Sequence, residues 1–304
     1  MEGKKTIMGA IIGDIAGSKF EFNPIKSKDF ELLQRAKYVR NENDLLYSQI
    51  EKGCFFTDDS IMTLAICDAI LQVSSVPFHH YDDYYNFRHD LYKYIGRFLV
   101  NTMVKYGKKY PNAGYGSNFR NWLYSDYHEP YNSCGNGSAM RVSAVAYIAE
   151  TIVDVIRLSK AVTEVTHNHP EGIKGAEATA VATWLALHGR TKEEIKEYIE
   201  KNYYKLDFDY DDLVKNYEFG ELCQNTVPQS IYAFLISNSF EDAIKTTISL
   251  GGDADTMGAI TGAIAGAYYG VPKDLISKAN EFLNLDLIDV AERFDSLVKR
   301  LEEF

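Results

Sequence analysis

Two apolar stretches place glycine at every fourth position: Gly9, Gly13 and Gly17 in GAIIGDIAG, and Gly258, Gly262, Gly266 and Gly270 in GAITGAIAGAYYG. On an α-helix this spacing gathers the glycines on one face. With no side chain there, another backbone can come into close contact. Both stretches are therefore expected to be central, tightly packed helices. A dinucleotide-binding reading of GAIIGDIAG fails, because the spacing is not G-x-G-x-x-G and no strand precedes it. The uncharged run from Thr256 to Pro272 falls short of the roughly 20 apolar residues of a membrane span, so a buried helix is expected there.

The rest of the chain follows the same period. Segments 59–74, 139–149, 152–165, 173–188, 192–202, 240–249, 256–269 and 286–302 repeat apolar residues at three- and four-residue spacing or are apolar all round. Only YYKLDFDYDD (203–212) alternates, and its Asp and Tyr content reads as a loop or short extended piece. Turns such as GNGS and LGGD separate the helices, and no linker or long-period repeat divides the chain. The expectation is an all-α fold, with residues 1–304 forming one compact multi-helix domain.

Composition limits the possible partners. Hydrophobic residues make up 46% and charged residues 25%, as in a globular protein. A net charge of −11 provides no basic field for nucleic acid or an anionic membrane. Cys54, Cys67, Cys134 and Cys223 are scattered without zinc-ligand spacing. The amino terminus has a basic start and a short apolar run, but Asp14 interrupts it and no cleavage site is clear. A cytoplasmic protein with reduced thiols is expected.

The chemistry concentrates at two helix entrances. In FFTDDSIMTLA (55–65), Thr57, Asp58, Asp59 and Ser60 stand in a row before an almost wholly apolar run. One acid there would be an ordinary cap or a partner of the helix dipole. Two are harder to bury, because each ion costs several kcal/mol while the dipole returns only about 0.3 to 1 kcal/mol. LGGDADTMGAITG repeats the grammar, with Asp253, Asp255 and Thr256 after a Gly-Gly turn. Four carboxylates and two hydroxyls are hard oxygen ligands suited to Mg²⁺ or Mn²⁺, with charge enough for a two-metal site.

Further motifs lie between. GNGSAMRVSAVA (135–146) is a glycine turn opening a helix, where free amides attract anions and Gly135 and Gly137 allow close backbone approach. Arg141 could pair with a phosphate or with a core aspartate, and the second is the favoured reading. Tyr131, beside the turn, is a stacking candidate. YDDYYNF (81–87) reads as packing. Asp14, inside an apolar helix, reads as a paired structural acid or one supporting the ligands from behind. His79, His80, His89, His128 and His188 show no partner spacing.

Taken in order, GAIIGDIAGSKFE, FTDDSIMTLA, YNSCGNGSAMRVSAVA, THNHPEG and GGDADTMGAITGAIAGAYYG resemble the ADP-ribosylglycohydrolase family, from the amino terminus to near the carboxyl end. The resemblance implies an all-helical domain holding two magnesium ions on Thr57, Asp58, Asp59, Asp253, Asp255 and Thr256. Ala254 stands where relatives often carry Ser or Thr, at a side chain that is not a family ligand. The resemblance also implies that Gly135, Asn136, Gly137 and Ser138 cradle the diphosphate and ribose of ADP-ribose. By the same analogy His167 lines the ligand pocket, and Glu21 lies on a mobile segment over the site.

The reaction so implied is hydrolysis of the bond between the ribose anomeric carbon and an acceptor on an ADP-ribosylated protein or small molecule, arginine-linked by preference. Proton transfer would fall to Asp58, Asp59 or Glu21. Two rivals are a metal-dependent nucleotide phosphatase or pyrophosphatase and a non-catalytic ADP-ribose binder.

Overall fold

Glycine contact sets the centre of the molecule. The computed structural model describes residue 3 and residues 5–40, 47–75 and 83–303. Helix α1 (Met8–Gly17) is buried at every residue. Its glycine face lies directly on that of a helix near the other end of the chain. A Cβ on Gly9 would sit 2.5 Å from the Gly262 carbonyl oxygen, one on Gly13 1.9 Å from that of Gly258, and one on Gly17 2.1 Å from that of Ala254. Partner numbers fall as α1 advances, so the two helices run antiparallel. The end of α1 thus meets the beginning of its partner.

Fourteen α-helices occur among the described residues, with one small hairpin. After α1 come the antiparallel strands β1 (Lys37–Arg40) and β2 (Tyr47–Glu51), then α2 (Asp58–Ser74), α3 (Asp83–Lys109) and α4 (Ser117–Leu123). A 3₁₀ turn (Asn136–Ser138) leads to α5 (Ala144–Ile148), α6 (Ile152–Thr163), α7 (Pro170–Leu187) and α8 (Lys192–Asn202). The chain closes with α9 (Tyr210–Asn216), α10 (Cys223–Ile236), α11 (Phe240–Ser249), α12 (Ala254–Tyr269), α13 (Lys273–Asn280) and α14 (Leu285–Glu302). The helix α1 packs against is α12, buried without a break from Ala254 to Ala267. Around this pair, α2, α7, α10 and α11 each touch α12, and α3 and α14 cover α2. One apolar cluster runs from Ile7 to Leu297 through nearly all these helices.

All eight expected helical segments contain a helix, and the differences have local causes. Segment 139–149 is helical only over Ala144–Ile148, because residues 136–143 form 3₁₀ and turn backbone. The tract 203–212 is irregular up to Asp209 and then becomes helical, since the Asp209 side chain accepts the Asp212 amide and caps α9. Helix α10 contains Pro228, which breaks the sequence pattern but not the helix. The side chains of residues 76–90 lie outside the described set, and with them the readings of YDDYYNF, His79, His80 and His89. Among the described residues no helix is long and apolar enough to cross a membrane.

Candidate functional site

The antiparallel α1–α12 contact brings together acids from both ends of the chain. Asp14 leaves α1 toward the start of α2. Its Oδ2 accepts the backbone amides of Thr57 at 3.0 Å and Ser60 at 3.1 Å, as well as the Ser60 hydroxyl. Its Oδ1 accepts the Thr57 hydroxyl at 2.7 Å. A carboxylate from one helix is thus seated on the free amides of another. This clamp sets the direction of the α2 entrance. The Thr57 hydroxyl also lies 3.1 Å from Asp59 Oδ2. The Asp59 Oδ1 atom is buried with no hydrogen-bond partner.

At the α12 entrance, Gly251 and Gly252 adopt φ of 76° and 80°, which only glycine takes without strain. The tight turn they form delivers Asp253 and Asp255 to the same place. Asp253 Oδ2 accepts the Asn136 side-chain amide at 2.7 Å, and that amide also reaches the Thr226 hydroxyl at 3.1 Å. Carboxylate oxygens of Asp14, Asp59 and Asp255 lie within 4.8 Å of one another, and so do those of Glu21, Asp253 and Asp255. Asp255 belongs to both groups. Asp58 lines the same cavity, held by its backbone amide on the Ala113 carbonyl at 2.8 Å.

The electrostatics are lopsided. Among the described residues, none of these acids has a lysine or arginine within ion-pair distance. Burial pushes Asp58, Asp59 and Asp255 well above the usual carboxylate range, and the neighbouring acids push them further. Burial raises Asp253 to about 6, although hydrogen bonds from Asp255 and Asn136 oppose it. Asp14 also rises to about 6 through burial, opposed by hydrogen bonds from Ser60 and Thr57. Glu21 is pushed up to about 8 by burial and then by Asp255 and Asp14. Such a set needs protons or cations to neutralise it. The unpartnered Asp59 oxygen and the all-oxygen donor set fit hard divalent cations.

The opposite wall of the cavity has another character. Gly135, Asn136, Gly137, Met140 and Arg141 line it from the 3₁₀ turn, with Tyr131 and His167 beside them. Arg141 is buried, at 2% exposure, and the expectation that it pairs with a core aspartate is corrected. Its Nη2 donates to the Thr166 hydroxyl at 2.6 Å and lies 3.5 Å from His167 Nδ1, and its guanidinium sits 5.8 Å from the Phe119 ring centre. The path from α5 to α7 brings Thr166 onto the guanidinium, while the Asp58 charge acts on it from beyond ion-pair distance. With its oxygen accepting from Arg141, the Thr166 hydroxyl donates to Nδ1 of His167 at 2.8 Å. Burial and then the Arg141 charge hold His167 well below the usual imidazole range. The neutral ring therefore carries its proton on Nε2, the atom nearest Gly137.

Most of the residues singled out in the sequence converge. Glu21, Asp58, Asp59, Tyr131, Gly135, Asn136, Gly137, His167, Asp253, Asp255 and Thr256 all line one cavity. Thr57 stands behind it, bonded to Asp14 and Asp59. The Ser138 side chain turns away from the cavity: fully buried, it donates to the Gly172 carbonyl at 2.8 Å. His128 and His188 pack on Trp122 and Trp184. Sequence reasoning missed Gly114, Gly116, Ser117, Asn118 and Phe119, which also line the cavity, although the glycine-rich turn AGYGS is a signal of backbone close to a ligand. It also missed Phe219 and Glu221, for which no local signal exists.

Comparison with known proteins gives the family and the fold. Residues 3–303 match the family model for ADP-ribosylglycohydrolase. The chain is 26% identical to ADP-ribosylhydrolase ARH3 of Mus musculus, over 93% of this chain and 88% of that one. It is 27% identical to ADP-ribosylarginine hydrolase Tri1 of Pseudomonas putida, over 97% of this chain and 80% of that one. A solved structure described as an ADP-ribosylglycohydrolase-related protein complex superposes with a TM-score of 0.64 at 22% identity, covering 97% of this chain and 94% of that one. At that identity the superposition speaks for the fold.

Proposed function

The chain belongs to the ADP-ribosylglycohydrolase family, a family of hydrolases, and we propose that it releases ADP-ribose from an arginine-linked acceptor in a magnesium-dependent reaction. The observation that carries this reading is the shared position of Asp255, common to two groups of acids that are buried except for half-buried Glu21 and that, among the described residues, make no ion pair with a base. Thr57, Asp58, Asp59, Asp253, Asp255 and Thr256 would hold two Mg²⁺ ions, with Mn²⁺ as a substitute. Asp14 and Asn136 aim these ligands through Thr57 and Asp253. Bound cations would supply a polarised water and a Lewis acid for the ribose hydroxyls.

The remaining steps belong to the chain's own groups. The Asn136 amide is spent on the Glu221 carbonyl and that of Gly135 on the Ser133 hydroxyl, so the Gly137 backbone and the Nε2–H of His167 face the diphosphate. Tyr131, whose ring centre lies 5.8 Å from that of His167, closes this side of the cavity. Cleavage at the anomeric carbon builds positive charge on the ribose, which the Asp58 and Asp59 carboxylates face and stabilise. Glu21, on the segment just after α1, moves the proton to or from the acceptor. Ser138 serves the loop through Gly172 and does not touch substrate. One domain over residues 1–304 and a cytoplasmic location, in keeping with four free cysteines, belong to the same proposal.

A panel of arginine-, serine- and acetyl-linked ADP-ribose substrates, assayed with magnesium and with chelator, tests the reading. The expected result is intact ADP-ribose, released faster from the arginine-linked substrate than from the others and only when magnesium is present. AMP or inorganic phosphate as the product would instead favour a phosphatase or pyrophosphatase. Tight ADP-ribose binding without turnover of any linkage would favour a binding protein.

A further inference from the structure

At the mouth of the cavity two phenylalanines lie open to solvent. Phe22 is 73% exposed and Phe219 46%, and their rings stack with centroids 6.2 Å apart and planes at 29°. Single exposed rings are unremarkable, but this pair stands among acids. Glu21 precedes Phe22, and Glu218 and Glu221 flank Phe219 in YEFGE (217–221). Phe219, Glu21 and Glu221 line the cavity. Elsewhere exposed rings lie under the chain's own cations, as Phe55 under Lys52 and Tyr124 under Lys108. Among the described residues no lysine or arginine lies over Phe22 or Phe219.

The mouth is built on fixed backbone. The Tyr217 ring packs over Gly252, where a Cβ would come within 2.5 Å of it. Lys26 donates to the Tyr217 carbonyl at 3.1 Å. The Glu221 carbonyl accepts the Asn136 amide at 2.8 Å, and Leu222 bridges to Gly135. The segment carrying Phe219 is therefore tied at both ends to the cavity's own walls.

Resting on the arginine-linked reading, we propose that Phe22 and Phe219 seat the acceptor's guanidinium and so set the preference for arginine over hydroxyl-linked acceptors. A planar cation satisfies both components of the mouth, stacking on a ring face while its N–H groups meet the glutamates. A serine linkage offers neither plane nor charge. The adenine end of the substrate is uncharged, and it follows a diphosphate that the mouth acids repel. The rings lie beside Glu21, on the acid side where the acceptor departs.

The test uses the full chain carrying Phe22→Ala, Phe219→Ala and both together, all surface changes. With magnesium present, the double variant is expected to lower kcat/KM on ADP-ribosyl-arginine by about 3- to 30-fold, chiefly through KM. Turnover of serine-linked substrate and the Kd for free ADP-ribose stay within about twofold. Phe219→Trp keeps the arginine preference, and Phe219→Leu, apolar but without a π face, loses it. Equal losses on both linkages, or no loss on the arginine one, overturn the proposal. Wild-type protein that turns over no linkage overturns the hydrolase reading itself, an outcome separable from the first two.

Discussion

Gly13→Ala asks whether α1 and α12 touch through bare backbone. The added Cβ would lie 1.9 Å from the Gly258 carbonyl oxygen and 2.3 Å from its carbon. Relief requires the helices to part by more than an ångström, since both clashing atoms are backbone and no rotamer can yield. Overpacking a core costs about 1 to 3 kcal/mol where side chains can adjust, so about 3 kcal/mol is a lower figure here. Alanine's better helix propensity returns about 1 kcal/mol. The net loss is about 2 kcal/mol or more, a fall in Tm of roughly 3 °C or more for a chain of this size. Urea unfolding followed by circular dichroism measures it directly. Gly116→Ala is the control, because nothing lies within 4 Å of its Cβ and φ is −58°; it should stay within about 0.5 kcal/mol. If Gly13→Ala melted with the control, the two helices would not be in backbone contact, and the convergence of acids that depends on it would be wrong.

Two further outcomes follow from the electrostatics. Magnesium at 100 times its Kd should stabilise the wild-type protein by about 2.7 kcal/mol; calorimetry should find this increment largely gone in Asp255→Asn, but retained when the surface acid Asp286, which pairs with Lys109, becomes Asn. His167 gives a pH test of definite sign: its folded pKa is depressed below 6.5, so the unfolded chain takes the proton first. The stability it contributes is then full above about pH 6.5 and drains away by at most about 1.4 kcal/mol per pH unit as pH falls. Urea midpoints of wild type and His167→Gln, compared from pH 7.5 to 5, should diverge with that slope, and parallel curves would mean the ring is not held neutral.

The features readable from sequence are those whose physics is local. Glycine at every fourth position announces close backbone contact, and paired aspartates before an uncharged run announce a charge problem. Neither names its partner. That Gly13 meets Gly258 and that Asp59 meets Asp255 are consequences of topology. Arg141 shows the limit most clearly: its burial could be foreseen, but Thr166 and His167 reach it only through the path from α5 to α7. Ser138 shows another, since a residue at the right place can point its hydroxyl at Gly172. Helix α10 escaped notice because Pro228 interrupts the periodicity, and α9 because its aspartates, which cap and charge its first turn, resemble those of a loop.

The α1–α12 contact joins segments some 240 positions apart, and so it governs the order in which the molecule can assemble. During synthesis the first helix is made long before its mate, and its ten residues, all destined for the interior, must wait uncovered or shelter against something else. Contacts of such long sequence separation form late and slow folding. The acid cluster comes into being at that same late step, so a partly made chain has not yet gathered its carboxylates.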